Sequence, residues 1–304
     1  RHGIPEVHES TDALVKSPSV DAVDVLTPHH HHLAAVTLAA QAGKHVLVEK
    51  AIAHNLADAD QMIELCRAHR VILGGIFQNR FSQAGRGLKR IVEDGSLGRI
   101  FLATVSVKLR RAAEYYQRAP WRARKSEAGG GVLMIQAIHT LDLLQWVMGM
   151  PRSVFGRTAT VVHPVEVEDL AVGLLEFNGG TIAVLQATTA AIPEIPPELE
   201  IQGDRGTAAV FDSRGYLGFW SSTLDRPSPL RERWSLYASH FHEQEATVPT
   251  QASPEPHAEN IRDFVAAVQE GRPPLVDGTE ARKALVVVDA LYRSAELGMW
   301  VEPS

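Results

Sequence analysis

The run His45-Val46-Leu47-Val48-Glu49-Lys50-Ala51 constrains the chain more than any other segment. Three successive apolar residues lead straight into two opposite charges, and Gly43, just upstream, has the position of a glycine that closes a helix. Helix, tight turn, buried strand and charged pair is the order of a parallel α/β sheet, whose ligands sit beyond the carboxyl ends of the strands. A lysine placed there, beside apolar strand residues, is set up for a lowered pKa and for acting on a substrate hydroxyl. Taken by itself, the heptapeptide describes a surface Glu–Lys pair equally well.

The neighbouring segments repeat the pattern. Residues 20–26 are valine-rich and read as a strand ending at Thr27-Pro28, and residues 31–42 are helix-prone up to Gly43. Asn55 has the character of an N-cap, followed by Leu56, Ala59, Met62, Ile63 and Cys66 at helical spacing. Residues 71–73 predict the next strand. Two β-α-β crossovers in succession imply a parallel sheet with helices on its faces. A doubly wound nucleotide-binding domain normally opens with a strand and a Gly-x-Gly-x-x-Gly turn. Residues 1–19 offer one helix, near 10–16, and no such turn, so the sequence is expected to start inside such a domain. The first residue is Arg1, which fits an upstream segment, with any targeting signal on it.

From residue 100 the segments lengthen. Strands are predicted at 100–108, 153–161, 169–177, 181–188, 198–202 and 207–211, with a hairpin at Asn178-Gly179-Gly180 and a turn at 203–206. Helices are predicted near 85–93, 132–148, 257–270 and 279–297, and residues 222–256, rich in proline, serine and charge, read as a long loop. The expected architecture is therefore α/β: a Rossmann-type parallel sheet, incomplete at its start, over residues 1–98. A second, α+β domain over 99–304 carries a large, mostly antiparallel open sheet, with its C-terminal helices packing back toward the first domain. At 304 residues the chain suits two domains of roughly 150 residues each.

A net charge of −6 and the lack of a Lys/Arg run argue against a nucleic-acid surface. No stretch reads as the about 18 apolar residues of a membrane span. One cysteine, Cys66, excludes an internal disulfide and fits a reducing cytoplasm. In the helix entered by Gly129-Gly130-Gly131, residues Leu133, Ala137, Leu141, Leu144 and Met148 share one stripe, while Ile135, His139 and Asp142 share another side. Asp142 can orient His139, or both can face another domain. Four adjacent histidines, His29 to His32, cannot all aim at one ion and have no partner at ligand spacing, so no metal site is expected. They fit a loop and helix start facing a ligand crevice. Tyr115-Tyr116 and Trp121-Arg122 suit stacking on a polar ring such as a sugar, or packing between domains.

In order, these pieces resemble the glucose–fructose oxidoreductase/inositol dehydrogenase (Gfo/Idh/MocA) superfamily. The likeness runs from Val20 through Thr27-Pro28 to His32, Ala42-Gly43-Lys44-His45-Val46-Leu47-Val48-Glu49-Lys50, Asn79-Arg80-Phe81, Gly95-Ser96-Leu97-Gly98 and Trp121-Arg122. It continues with Gly129-Gly130-Gly131 to His139 and Asp142, and with 257–271 and 277–294. The resemblance implies NAD or NADP as cofactor and hydride transfer to or from a secondary alcohol of a sugar, sugar derivative or cyclitol. It implies Lys50 and His139 as catalytic residues. Thr27, Pro28, His29, His32, Glu49, Lys50, Gln78, Trp121 and Arg122 would lie around the cofactor, and Arg80, Tyr116, Ile135, Gln136 and His139 around the substrate. It also implies a homo-oligomer, dimer or tetramer, assembled through the open sheet.

Three positions depart from the family pattern. Ala51 stands where proline is usual, Ile135 where many members carry Asp or Asn, and the glycine-rich phosphate turn is absent from this sequence. Ile135 opens the alternative of a less polar substrate, a cyclic dihydrodiol. The absent turn opens that of a truncated, non-catalytic ligand-binding relative.

Overall fold

The computed structural model describes residues 4, 6–211, 216–221 and 256–304. Its first sheet has three parallel strands, in the order β1 (Ala22–Val25), β2 (His45–Val48), β3 (Leu73–Gly75). The short helix α1 (Thr11–Val15) precedes it, capped by Ser10. A 3-10 turn, His29–His31, leads into α2 (His32–Gln41), so the expected helix starts in a tighter form. Gly43 (φ +70°) closes it: its N–H reaches Ala40 O and the next, Lys44 N–H, reaches Ala39 O, two otherwise orphaned carbonyls. Asn55 caps α3 (Leu56–Ala68) by accepting from Asp58 N–H at 2.8 Å.

The third strand lies two residues later than the predicted 71–73, because Val71 N–H is still engaged with Cys66 O at the end of α3. Two glycines carry the strand instead. A Cβ on Gly74 would come within 2.7 Å of the Phe264 ring, so α8 (Pro256–Glu270) lies directly on this strand.

A 3-10 turn (Gln78–Phe81) and α4 (Gln83–Glu93) lead to the second sheet, of seven strands in the order β10-β9-β8-β4-β7-β6-β5. These are β4 (Ile100–Arg110), β5 (Ser153–Ala159), β6 (Leu170–Glu176), β7 (Ile182–Thr188), β8 (Ala190–Gly203), β9 (Gly206–Phe211) and β10 (Tyr216–Ser221). All pairs are antiparallel except β4 with β7. β8 is longer than the predicted 198–202: its prolines break the two-residue alternation, and register shifts against β4 accommodate them. Between β4 and β5 the chain forms α5 (Ala113–Gln117), the turn Pro120–Ala123, α6 (Lys125–Ala128) and α7 (Ile138–Met148). The loop predicted over 222–256 falls, but for residue 256, outside the described residues.

One face of this sheet is covered. Ala103, Val105, Val107, Leu175, Ala183, Leu185, Leu199 and Ile201 are fully buried in the core that includes Leu141 and Leu144 of α7 and Leu291 of α9 (Gly278–Leu297). The last helices also reach the first sheet: Gly75 N–H donates to Val276 O at 2.8 Å, and Asn260 accepts from Phe77 N–H at 2.9 Å. The opposite face leaves Val172, Leu174 and Ile182 exposed. The helical run Lys125–Met148 is long and apolar enough to pass for a membrane span, contrary to the reading of the sequence, but 83% of its apolar window is buried within the fold.

Candidate active site

Lys50 stands two residues beyond the end of β2. Its Nζ donates to Ile135 O at 2.8 Å, and its own N–H donates to the Glu49 carboxylate at 3.1 Å. Burial pushes the ammonium down to about 8, against the pull of Glu49 and with help from the charge of Arg122. The Lys50–Ala51 peptide is cis.

Ile135 belongs to a π-helical turn, Leu133–Ala137, that opens α7. The entry to this turn is anchored by the buried Glu168, whose carboxylate accepts Gly131 N–H at 2.7 Å, Leu133 N–H at 2.9 Å and the Tyr292 hydroxyl at 2.8 Å. A Cβ on Gly131 would lie 1.9 Å from Glu168 O, so only glycine allows this approach. Two residues past the turn, His139 meets Phe77 edge-on, with ring centroids 6.3 Å apart. Its Nδ1 is buried and has no hydrogen-bond partner among the described residues. Burial, and then the charges of Lys50 and His257, hold the imidazole well below its usual pKa, so it is neutral and able to take a proton.

Lys50 and His139 line one cleft of about 600 Å³. From the strand ends of the first sheet come Thr27, His29, Glu49, Gln78 and Asn79; from the second domain come Trp121, Arg122, Ile135 and Gln136. The His29 ring donates to Ala128 O at 2.8 Å and is driven by burial down to about 3. Trp121 packs edge-on against His29 at 4.8 Å, and the Arg122 guanidinium lies 4.4 Å over the Tyr115 ring. Gln136 Nε2 donates to the Tyr115 hydroxyl at 3.1 Å, while Gln136 Oε1 and Gln78 Oε1 are buried without partners. Three of the four buried polar side-chain atoms left without a hydrogen-bond partner among the described residues, those two and His139 Nδ1, thus belong to residues that line one cleft, as expected of a ligand site.

Four residues assigned to ligands from the sequence are placed elsewhere. Arg80 does not reach the substrate cleft: it is wholly buried and held by Asp142 and Glu280. Asp142, engaged in this way, does not orient His139. Tyr116 turns its hydroxyl to Thr189 at 3.1 Å, since adjacent residues of α5 point about 100° apart and Tyr115 takes the cleft side. His32 is fully buried, its ring nitrogens at Thr27 O and Ile52 O, and Pro28 does not line the cleft. Both shape the loop that presents Thr27 and His29.

The sequence reading missed Arg111, Glu194, Pro196 and Pro197, which line the cleft from β8 and the end of β4. Arg111 and Glu194 pair at 3.1 Å. For Glu194, Pro196 and Pro197 the only signal is the proline-broken run before residue 198. Among the described residues no three His, Cys, Asp or Glu side chains converge on a metal position.

A parallel sheet ending in a polar cleft, closed by a second domain that carries a histidine, is the architecture of a two-domain α/β protein that takes its ligand beyond the strand ends. The orphaned Gln78 Oε1 at the end of the first sheet fits a cofactor bearing an amide N–H donor, as nicotinamide does. Residues 1–76 match the oxidoreductase family model with an NAD-binding Rossmann fold, and residues 86–209 match the GFO/IDH/MocA C-terminal domain. The chain belongs to the Gfo/Idh/MocA family of nicotinamide-dependent oxidoreductases.

It is 26% identical to a myo-inositol 2-dehydrogenase of Thermotoga maritima, over 97% of this chain and 83% of the relative. It is 32% identical to a trans-1,2-dihydrobenzene-1,2-diol dehydrogenase of Danio rerio, over 69% of this chain and 60% of that one. The WlbA dehydrogenase of Bordetella pertussis, solved in complex with NADH and UDP-GlcNAcA, superposes with a TM-score of 0.82 at 28% identity, covering 96% of this chain and 82% of that one.

Proposed function

We propose that the enzyme oxidises a secondary alcohol of a sugar, sugar derivative or cyclitol, or reduces the corresponding ketone. The observation that carries this reading is the meeting in one cleft of Lys50, an ammonium of depressed pKa, with His139, a neutral imidazole bearing a free buried nitrogen. When bound, the nicotinamide supplies the hydride acceptor or donor. Thr27, His29, Glu49 and Gln78, with Trp121 and Arg122 from the other domain, are the residues that would hold it.

Lys50 directs an N–H toward the reacting oxygen, and its lowered pKa matches it to proton transfer near neutrality. His139 takes the hydroxyl proton during oxidation and returns it during reduction. Gln136 Oε1 accepts from a second hydroxyl, and the Tyr115 and Trp121 rings give a sugar face something to lie against. The inositol and UDP-sugar relatives support this substrate class.

A second reading is a cyclic dihydrodiol. Leu109, Ile135, Leu143 and Val210 line the same cleft, and the Danio rerio relative carries that activity in its name. Assays with NAD and with NADP across cyclitols, aldoses, uronic acids and trans-dihydrodiols decide the matter. Turnover of the polyols is expected. Dihydrodiols turned over at least tenfold better would favour the second reading, and turnover of none, with cofactor bound, would overturn both.

The same enzyme is proposed to be a cytoplasmic homo-oligomer. The buried lone Cys66 supports the compartment, and Val172, Leu174 and Ile182, exposed on the sheet face opposite the helices, support the assembly. Light scattering should give a dimer or tetramer that Leu174→Glu dissociates; a monomeric wild type would refute it.

A further inference from the structure

Arg80 lies within the 3-10 turn (Gln78–Phe81) after β3, and its side chain is fully buried. Its Nε donates to Asp142 Oδ2 at 2.8 Å and Nη2 to Asp142 Oδ1 at 2.7 Å, a planar two-point fork. Nη1 donates to Glu280 at 3.0 Å, the guanidinium lies 5.6 Å over the Trp146 ring, and Gln145 Nε2 donates to Asp142 Oδ1 at 3.1 Å. Glu280 is further paired with Lys283.

One guanidinium thus joins three segments. The first is the turn bearing Gln78, next to Phe77. The second is α7, in which Asp142 sits three residues past His139, and the third is α9. Withdrawing such charges from water largely cancels their mutual attraction, so apolar side chains of the same volume would hold the fold about as well. What the fork adds is orientation, since a bidentate Arg–carboxylate pair fixes angle as well as distance.

Among the described residues, no nearer side chain orients His139. Its Nδ1 has no partner, and the carboxylate three residues on belongs to Arg80. The ring is therefore placed by the helix that carries it and by its contact with Phe77.

We propose that Arg80 is the positioning residue for proton transfer: through Asp142 it locks α7 against the strand-end turn of the first domain and so fixes the His139 imidazole relative to Lys50. The proposal rests on His139 being the proton acceptor. Arg80 touches no reacting atom. Its loss should leave binding in place and misplace the base.

The test uses the holoenzyme with its best alcohol substrate. Arg80→Lys keeps the charge and loses the fork. Because a misplacement of about 1 Å costs on the order of 100-fold, kcat should fall by about 10- to 100-fold, with both KM values changed less than about threefold. The solvent deuterium isotope effect on kcat should rise as proton transfer becomes limiting. If that variant fails to fold, the double variant Arg80→Met with Asp142→Leu replaces the ion pair by apolar volume, and the same kinetic signature is expected.

A folded variant with kcat within about twofold of wild type, or with its loss in KM alone, overturns the proposal. His139→Ala runs beside them. Its near-normal turnover would remove the proton-acceptor reading itself, whereas a dead His139→Ala with a normal Arg80 variant would remove the positioning role alone.

Discussion

Lys50 and Arg80 are two cations drawn into the protein against the same helical stretch, and they are held in opposite ways. Arg80 meets three carboxylate oxygens; burial opposes its charge, but Asp142 and Glu280 prevail and hold it above its ordinary pKa. Lys50 Nζ meets one backbone carbonyl, and burial prevails, pulling it to about 8. The complete set belongs to architecture and the incomplete one to chemistry. Unmet capacity in a buried polar group persists where a ligand is to meet it. The same division separates Glu168 and Asp169, whose carboxylates are filled by protein donors, from His139, Gln78 and Gln136, each with a bare buried atom.

The sharpest attempt to break this division is to delete the incompletely held groups. Lys50→Met and His139→Ala should each lower turnover by about 100- to 10,000-fold, as expected for losing a positioned proton-transfer group. Steady-state kinetics read the loss, and thermal unfolding should show no loss of stability in either. A large drop in melting temperature beside modest kinetic change would place both residues with the architecture instead.

A smaller effect follows from the charge of Lys50. An unfolded lysine keeps its proton to about 10.4, whereas the folded one releases it near 8. Between those values the unfolded chain binds more protons, so stability from this group rises with pH across that window. Below about pH 8 the buried ammonium is a burden, and Lys50→Met should be the more stable protein; the advantage should shrink as pH climbs toward 10. Melting temperatures of the two proteins from pH 6.5 to 9.5 check this, and a gap that is constant or widening with pH contradicts it.

The two cations also differ in how far the sequence announced them. Lys50 follows an apolar run that Gly43 and the strand's own composition delimit, so its place at a strand end was legible within eight residues. The caps, the crossovers and the hairpin at 178–180 were legible for the same reason: each is settled by a local backbone requirement. The resemblance places Arg80 at the substrate, and nothing near it in the sequence tells a buried arginine from an exposed one. Its partners lie 62 and 200 residues away, and only the packing of α7 and α9 brings them in. The glycines of β3 are misleading in the same manner, since their causes, Phe264 against Gly74 and Ala281 against Gly75, belong to the last two helices of the chain. That β8 runs back to Ala190 and supplies Glu194, Pro196 and Pro197 to the cleft is marked in the sequence only by the proline-broken run before residue 198, because prolines carry no alternation to read.

Gln136 sets the smallest and most discriminating test, because it stands on the boundary between the two kinds of group. Its amide has one half engaged by the Tyr115 hydroxyl and one half bare, and turning the amide over only exchanges which atom is left. Leucine matches it closely in volume and removes both halves. If the bare half awaits a substrate hydroxyl, Gln136→Leu should raise the substrate KM about tenfold, the worth of roughly one hydrogen bond of 1.4 kcal/mol. Stability should change by less than about 1 kcal/mol, since the lost bond to Tyr115 is offset by no longer burying an unpaired oxygen. The KM of the cofactor should not move, which separates this position from Gln78. An unchanged substrate KM with a loss of more than about 2 kcal/mol in unfolding free energy would mean that Gln136 serves Tyr115 and the fold. A bare buried atom would then no longer suffice to mark a ligand contact in this cleft.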